Sequence, residues 1–372
     1  EAGWSDLLQL SYKWRVTPQV WQRLQALEIA LDPTIKQEFA QLCRMVAVQS
    51  STASYRSAHV LHRLNQAGVN AIAFKGIGLI AGLYGKPGDR MVGDVDILIP
   101  PADLSATCTA LTELGFSADI DGNLTEYLDY LATRTREDNY FLVLKDAKGF
   151  EIDLHWQLKA IAGVQLNVQD LIDRAVTVSL HSQPVRVANP VDAILLTAHH
   201  SLRDDFAPKT ALKDLCDLSA WWAVRDRWAL DNLITQAQAT GLTQALLCLW
   251  QVLADLNPDS PVSAGIAQFA ATLSAADQET ARSLSELFHW QLQGNSVNRD
   301  LLHSLNFETI KRFIVRRLQK GATLSFDQSL WGIRHNRQLS WAKFQRLWHD
   351  LTTLDRRKLN AYKALSHIQN RK

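Results

Sequence analysis

The stretch Val92-Gly93-Asp94-Val95-Asp96-Ile97-Leu98-Ile99, stopped by Pro100-Pro101, limits the possible folds of this chain more than any other. Alternate side chains of a strand point to opposite faces. Val95, Ile97 and Ile99 therefore face a core, while Asp94 and Asp96 project together from the other side. Adjacent carboxylates repel and raise each other's pKa unless something positive holds them. A divalent cation does so, and Mg²⁺ prefers a few carboxylates together with phosphate oxygens. The stretch predicts a sheet with one buried face and one face carrying a site.

A second strand adds to it. In Phe150-Glu151-Ile152-Asp153-Leu154-His155-Trp156 the apolar residues alternate with Glu151, Asp153 and His155, which is again one buried and one polar face. Together with Tyr140 to Leu144 it reads as a hairpin around Asp146-Ala147-Lys148-Gly149. Placed beside the Asp94 strand, Asp153 completes a two-metal site. Two ions about 4 Å apart there activate an attacking hydroxyl and stabilise leaving pyrophosphate. His155 either positions a phosphate or ligates, or is a hydrogen-bonded structural group.

Upstream, Val69 to Phe74 reads as a short strand ending in Lys75-Gly76-Ile77-Gly78, followed by a small helix to Tyr84. Gly76 and Gly78 let backbone N–H groups approach a triphosphate, and a helix N-terminus favours anions. Lys75 or Arg90 adds charge toward the phosphates. Gly85-Lys86-Pro87-Gly88-Asp89 is a turn. Asp103 opens a helix that Gly115 closes.

Residues 69–187 thus read as a mixed α/β catalytic module. Residues 1–68 read as an N-terminal helical segment, with Asp32-Pro33 as a helix start and Gly68 as a C-cap. Residues 188–310 read as a helical domain and 311–372 as a basic helical C-terminal region. The expected fold class is α+β: a mixed-sheet module flanked by N-terminal helices and a C-terminal helical region. Twelve Trp are present, most of them after residue 220, and a helical stripe of Trp reads as packing.

Charge is unevenly placed. From Lys311 to Lys372 there are 15 Lys/Arg against three Asp, a balance of +12; the remainder carries 24 Lys/Arg against 35 Asp/Glu. Arg316, Arg317 and their neighbours read as a phosphate-binding surface for nucleic acid, an anionic-membrane surface, or a solvated helix exterior. The solvated exterior is the preferred reading. No apolar run reaches the ~18 residues of a membrane span, no signal-peptide pattern opens the chain, and the four cysteines sit apart in apolar segments. These features predict reduced thiols in a cytoplasmic protein.

The run Phe74-Lys75-Gly76, then Arg90, then Asp94-x-Asp96, then Asp153-Leu154-His155-Trp156 resembles the uncharacterised nucleotidyltransferase family of the polymerase-beta-type superfamily. His199-His200 and Leu212-Lys213-Asp214-Leu215-Cys216-Asp217 resemble that family's helical part, so the likeness spans roughly residues 4–230. It implies Mg²⁺-dependent transfer of a nucleoside monophosphate from NTP, such as ATP. Asp94 and Asp96 are the implied ligands, and Asp153 the third ligand or the base. The wider superfamily places a Gly-Gly or Gly-Ser pair shortly before Asp-x-Asp, whereas here Gly76 and Gly78 lie farther upstream and no Ser follows Gly76. The resemblance does not name the acceptor, and a small molecule, peptide or protein is preferred over nucleic acid. His199-His200 with Asp204-Asp205 reads as a helix end rather than a second metal site. Lys213, Asp214 and Asp217 read either as the acceptor side of the cleft or as a salt-bridged helix surface. The rival class is a catalytically inactive module of the same fold that binds RNA or a protein partner.

Overall fold

The computed structural model describes residues 2–118, 120, 127, 140–161, 163–257 and 262–292. The basic region 311–372, with its nucleic-acid and membrane readings, lies outside them. Three helices open the chain: α1 (Ala2–Lys13), α2 (Thr17–Ala26) and the long α3 (Pro33–Gln66). The Asp32 side chain accepts from the Thr34 amide and Pro33 sits in the first turn, so an otherwise orphaned donor is satisfied where the helix starts. Beyond its last turn, Gly68 adopts a φ of +78°, the left-handed conformation in which helices commonly end.

Seven described strands form one sheet: β1 (Ile72–Ala73), β2 (Val95–Leu98), β3 (Phe116–Ala118), β4 (Phe141–Asp146), β5 (Glu151–His155), β6 (Val176–Leu180) and β7 (Gln183–Val187). Their order is β3-β4-β5-β2-β1-β7-β6. The β2–β5 and β1–β7 pairs are parallel and the other neighbours antiparallel. In the β4–β5 hairpin the Asp146 carboxylate accepts from the Lys148 and Phe150 amides, and Gly149 takes a φ of +75°. The turn chemistry is that of an Asx-type loop with glycine where φ must be positive.

The sheet separates two cores. On one face Val95, Ile97, Ile152 and Leu154 pack with Val60, Leu61 and Leu64 of α3 and with Cys108 and Leu111 of α5 (Leu104–Glu113). On the other, Ile72 and Leu98 meet Leu171 of α6 (Val168–Asp173) and the helices α7 (Pro190–Arg203), α8 (Pro208–Ala223), α9 (Leu230–Thr240), α10 (Thr243–Leu256), α11 (Val262–Ala271) and α12 (Ala275–Leu292). Each fully buried Leu or Ile contributes about 1.5–3 kcal/mol relative to exposure. The period-2 alternation of β2 and β5 is therefore held on their apolar side by α3 and α5. The fold is α+β, a mixed sheet with helices on both faces.

Between β1 and β2, α4 (Lys75–Leu79) runs on into a π-helical turn over Ile80–Tyr84 that ends at Gly85. A Cβ on Gly78 would lie 2.5 Å from the Ala73 carbonyl oxygen, so only glycine lets this helix leave the strand so closely. Trp222 meets Trp228 and Trp250 edge-on, and Trp250 meets Phe269 in the same way. These tryptophans pack a core. The thiols of Cys43, Cys108, Cys216 and Cys248 are free. No helix among the described residues is long and apolar enough to cross a membrane.

Candidate active site

Parallel pairing of β2 with β5 puts Asp96 opposite Asp153 and Leu98 opposite His155. Neighbouring strands lie about 4.8 Å apart, so side chains on the same face are held close by the ladder itself. Asp96, Asp153 and His155 each offer one ligand atom within 4.8 Å of the other two, the one such grouping of three His, Cys, Asp or Glu among the described residues.

The charges in this group are unevenly satisfied. Lys75 donates its ammonium to Asp96 Oδ1 at 2.5 Å, and His155 Nε2 lies 3.1 Å from the same oxygen. Burial alone would raise the Asp96 pKa, but Lys75 and then His155 outweigh it and hold the carboxylate well below its usual range. Asp153 has no such partner. Its Oδ1 is buried without a hydrogen bond, and burial, then the charges of Asp96 and Asp94, push its carboxyl up to about 7. Burial also lowers the His155 pKa. That ring stacks on Phe141 at 5.4 Å and meets the edge of Phe74 at 5.1 Å. Two carboxylates and an imidazole, with one buried oxygen unclaimed, form a donor set that fits a divalent cation.

The other residues expected at the site surround this group, and all but Gly78 line the same cleft. Asp94 precedes β2, is about half exposed and lies 3.9 Å from Arg15; it is not one of the three clustered ligands. Lys75 takes a φ of +52°, a sparsely populated region for a residue with a Cβ and of the kind found at functional sites. Arg90 is buried, and its Nε and Nη2 each donate to Asp217 at 2.8 Å, while Tyr84 donates to the same carboxylate at 2.7 Å. Burial lowers the Arg90 pKa, and Asp217 more than restores it. A Cβ on Gly76 would lie 3.3 Å from Arg90 Nη1, so this glycine makes room for the guanidinium at the site. Gly78 packs on the Ala73 carbonyl, away from the carboxylates.

A cleft of about 420 Å³ joins Lys75, Gly76, Arg90, Asp94, Asp96, Asp153 and His155. Its far wall includes residues that the strand patterns could not reveal: Arg15, Lys159, Arg203, Lys209 and Lys213. Arg15 follows α1, and Lys209 and Lys213 are one turn apart on α8. The residues weighed as a helix end have partners. His199 donates to the Lys159 carbonyl, His200 pairs with Asp214, and Asp204 binds Arg203 and Thr210. Asp214 and Asp217 are buried counter-ions, while Lys213 lines the cleft.

Comparison with curated proteins finds no match. Among solved structures, the solution structure of the antibiotic-resistance factor ANT(2'')-Ia is similar at 11% identity and a TM-score of 0.30, covering 67% of this chain and 95% of that one. The model of the family described as uncharacterised nucleotidyltransferase matches residues 1–257. That match spans more than half of the 372 residues, and the chain belongs to the uncharacterised nucleotidyltransferase family.

Proposed function

We propose that the cleft transfers a nucleoside monophosphate from NTP, ATP among them, to the hydroxyl of an acceptor molecule, in the presence of Mg²⁺. The observation that carries this reading is the convergence of Asp96, Asp153 and His155, with one carboxylate oxygen buried and unclaimed. These three residues, with Asp94 at the mouth, would hold the cation. When bound, it neutralises charge on the transferring phosphoryl group and favours ionisation of the attacking hydroxyl. The acceptor oxygen forms a bond to the α-phosphorus, the bond to the bridging oxygen breaks, and pyrophosphate leaves. Asp153 Oδ1 has no competing hydrogen bond and takes the hydroxyl proton. The Lys75 ammonium, which lies on Asp96, turns to the phosphates as the nucleotide enters. Gly76 gives the Arg90 guanidinium room beside it in the cleft. The acceptor is a small molecule, peptide or protein, and the protein acts in the cytoplasm.

Thermal unfolding with ATP, with and without Mg²⁺, tests this. A ligand of the native state at about 100 times its Kd stabilises by about 2.7 kcal/mol. Addition of both should raise the melting point of the native sequence, and Asp96→Asn should remove the Mg²⁺-dependent part. An equal Mg²⁺-dependent shift in the variant would refute the assignment.

A further inference from the structure

Three cationic side chains from three parts of the chain converge at the Gly76 end of the cleft. Arg90 stands after the α4 turn, Arg15 between α1 and α2, and Lys213 on α8. Asp217 fixes Arg90 through two nitrogens, and the third, Nη1, makes only a long 3.5 Å contact to the Met91 carbonyl. That nitrogen lies against Gly76, where a Cβ would come within 3.3 Å of it. Arg15 approaches a second glycine in the same manner, since a Cβ on Gly93 would sit 2.9 Å from its Nη1. Two guanidinium groups are thus seated where two side chains are missing. Arg15 also takes a φ of +58°, a conformation disfavoured for a residue with a Cβ. Its contact with Asp94 is 3.9 Å long between half-exposed groups, so little is lost when it is released.

Lys213 completes the group. It lines the cleft and makes no hydrogen bond or ion pair with another described residue. Burial, followed by repulsion from Arg90, lowers its pKa against the pull of Asp214 and Asp217, and Arg15 adds to the lowering. Lys209 stands one turn away on the same helix, and like charges at that spacing destabilise a helix. Such a concentration of positive charge at one end of the cleft, with Arg90 Nη1 and the Lys213 ammonium not bonded to a carboxylate among the described residues, suits a polyanion.

We propose that Arg15 and Lys213, together with the third nitrogen of Arg90, form the seat for the β- and γ-phosphates of the nucleotide. This rests on the reading that the cleft binds NTP. The seat draws on the N-terminal helices and on α8, so it closes the cleft across the sheet.

Calorimetric titration of the full chain with inorganic tripolyphosphate in EDTA tests the seat apart from the cation-binding carboxylates. The native sequence and Asp96→Asn should both bind. Arg15→Gln and Lys213→Gln should each weaken binding about tenfold, as loss of one charge-assisted contact does, and Lys213→Arg should restore it. Arg15 faces solvent, so its substitution leaves the fold intact whatever happens at Lys213. With Mg²⁺ present, both Gln variants should weaken ATP and leave AMP unchanged. Failure of tripolyphosphate to bind, or an equal loss for AMP and ATP, would overturn the seat. Asp96-dependent ATP binding that ignores both substitutions would overturn the seat alone, whereas absence of any ATP binding by the native sequence would overturn the nucleotide reading with it.

Discussion

Replacing Asp217 by Asn should destabilise the protein more than a change at any exposed residue. The Asp217 side chain is 1% exposed and Arg90 3%. It accepts two hydrogen bonds of 2.8 Å from Arg90 and one of 2.7 Å from Tyr84. Asn keeps the shape but not the charge, and its amide turns a donor toward the guanidinium. Removing one partner of a buried pair leaves the other charge uncompensated, at a cost of about 3–5 kcal/mol. That is a large part of a typical stability of about 5–15 kcal/mol. At roughly 1–2 °C per kcal/mol for a chain of this size, the melting point should fall by about 3–10 °C. Urea unfolding followed by Trp fluorescence reads the loss, with Trp221 and Trp222 on the same helix as Asp217. The double variant Arg90→Met with Asp217→Leu should recover most of the stability, since an apolar pair of similar volume replaces a buried ion pair at little or no cost. A loss below about 1 kcal/mol in Asp217→Asn, or a double variant as unstable as the single, would refute the claim that this pair is an internal counter-ion.

Asp153 should give the metal-free protein a pH-dependent weakness. Its folded pKa, near 7, lies above the unfolded value, so the stability it contributes is complete below about pH 4 and is lost as pH rises through 7. The melting point of Asp153→Asn should therefore gain on the native sequence between pH 5 and 8; parallel profiles would show that the carboxyl is not strained. Gly78→Ala should cost about 1–3 kcal/mol because its Cβ meets a backbone oxygen that cannot rotate away. An alanine variant with unchanged urea midpoint would mean that α4 shifts freely from β1.

The two strands that carry the carboxylates were legible because a period of two needs only local sequence. Val95 and Ile97 on one side and Asp96 on the other fixed the face, and Gly149 marked the hairpin turn. The same period placed Asp94 with Asp96; both line the cleft, with Asp94 just ahead of β2, which begins at Val95. The strand pattern also left His155 with two readings, and only the β2–β5 register brings it to Asp96. The partner of Arg90 stands 127 residues away, and no spacing rule reaches that far. Most of the cationic wall was hidden for the same reason: Arg15 lies between two helices and Arg203 at the end of another, and of its members only Lys213 reads from sequence as a candidate wall of the cleft.

The ammonium of Lys75 lies on Asp96 where a cation would be expected to bear. The chain thus supplies its own counter-charge for Asp96. A lone cation must displace a bonded amine, so its capture is an exchange and weaker than the bare donor set suggests. A cation arriving already bound to a polyphosphate brings the amine a replacement partner, and the exchange costs far less. If the cleft binds nucleotide as proposed, the resting protein should ignore free divalent ions and respond to their nucleotide complexes, so that the nucleotide pool rather than the ion pool loads the site.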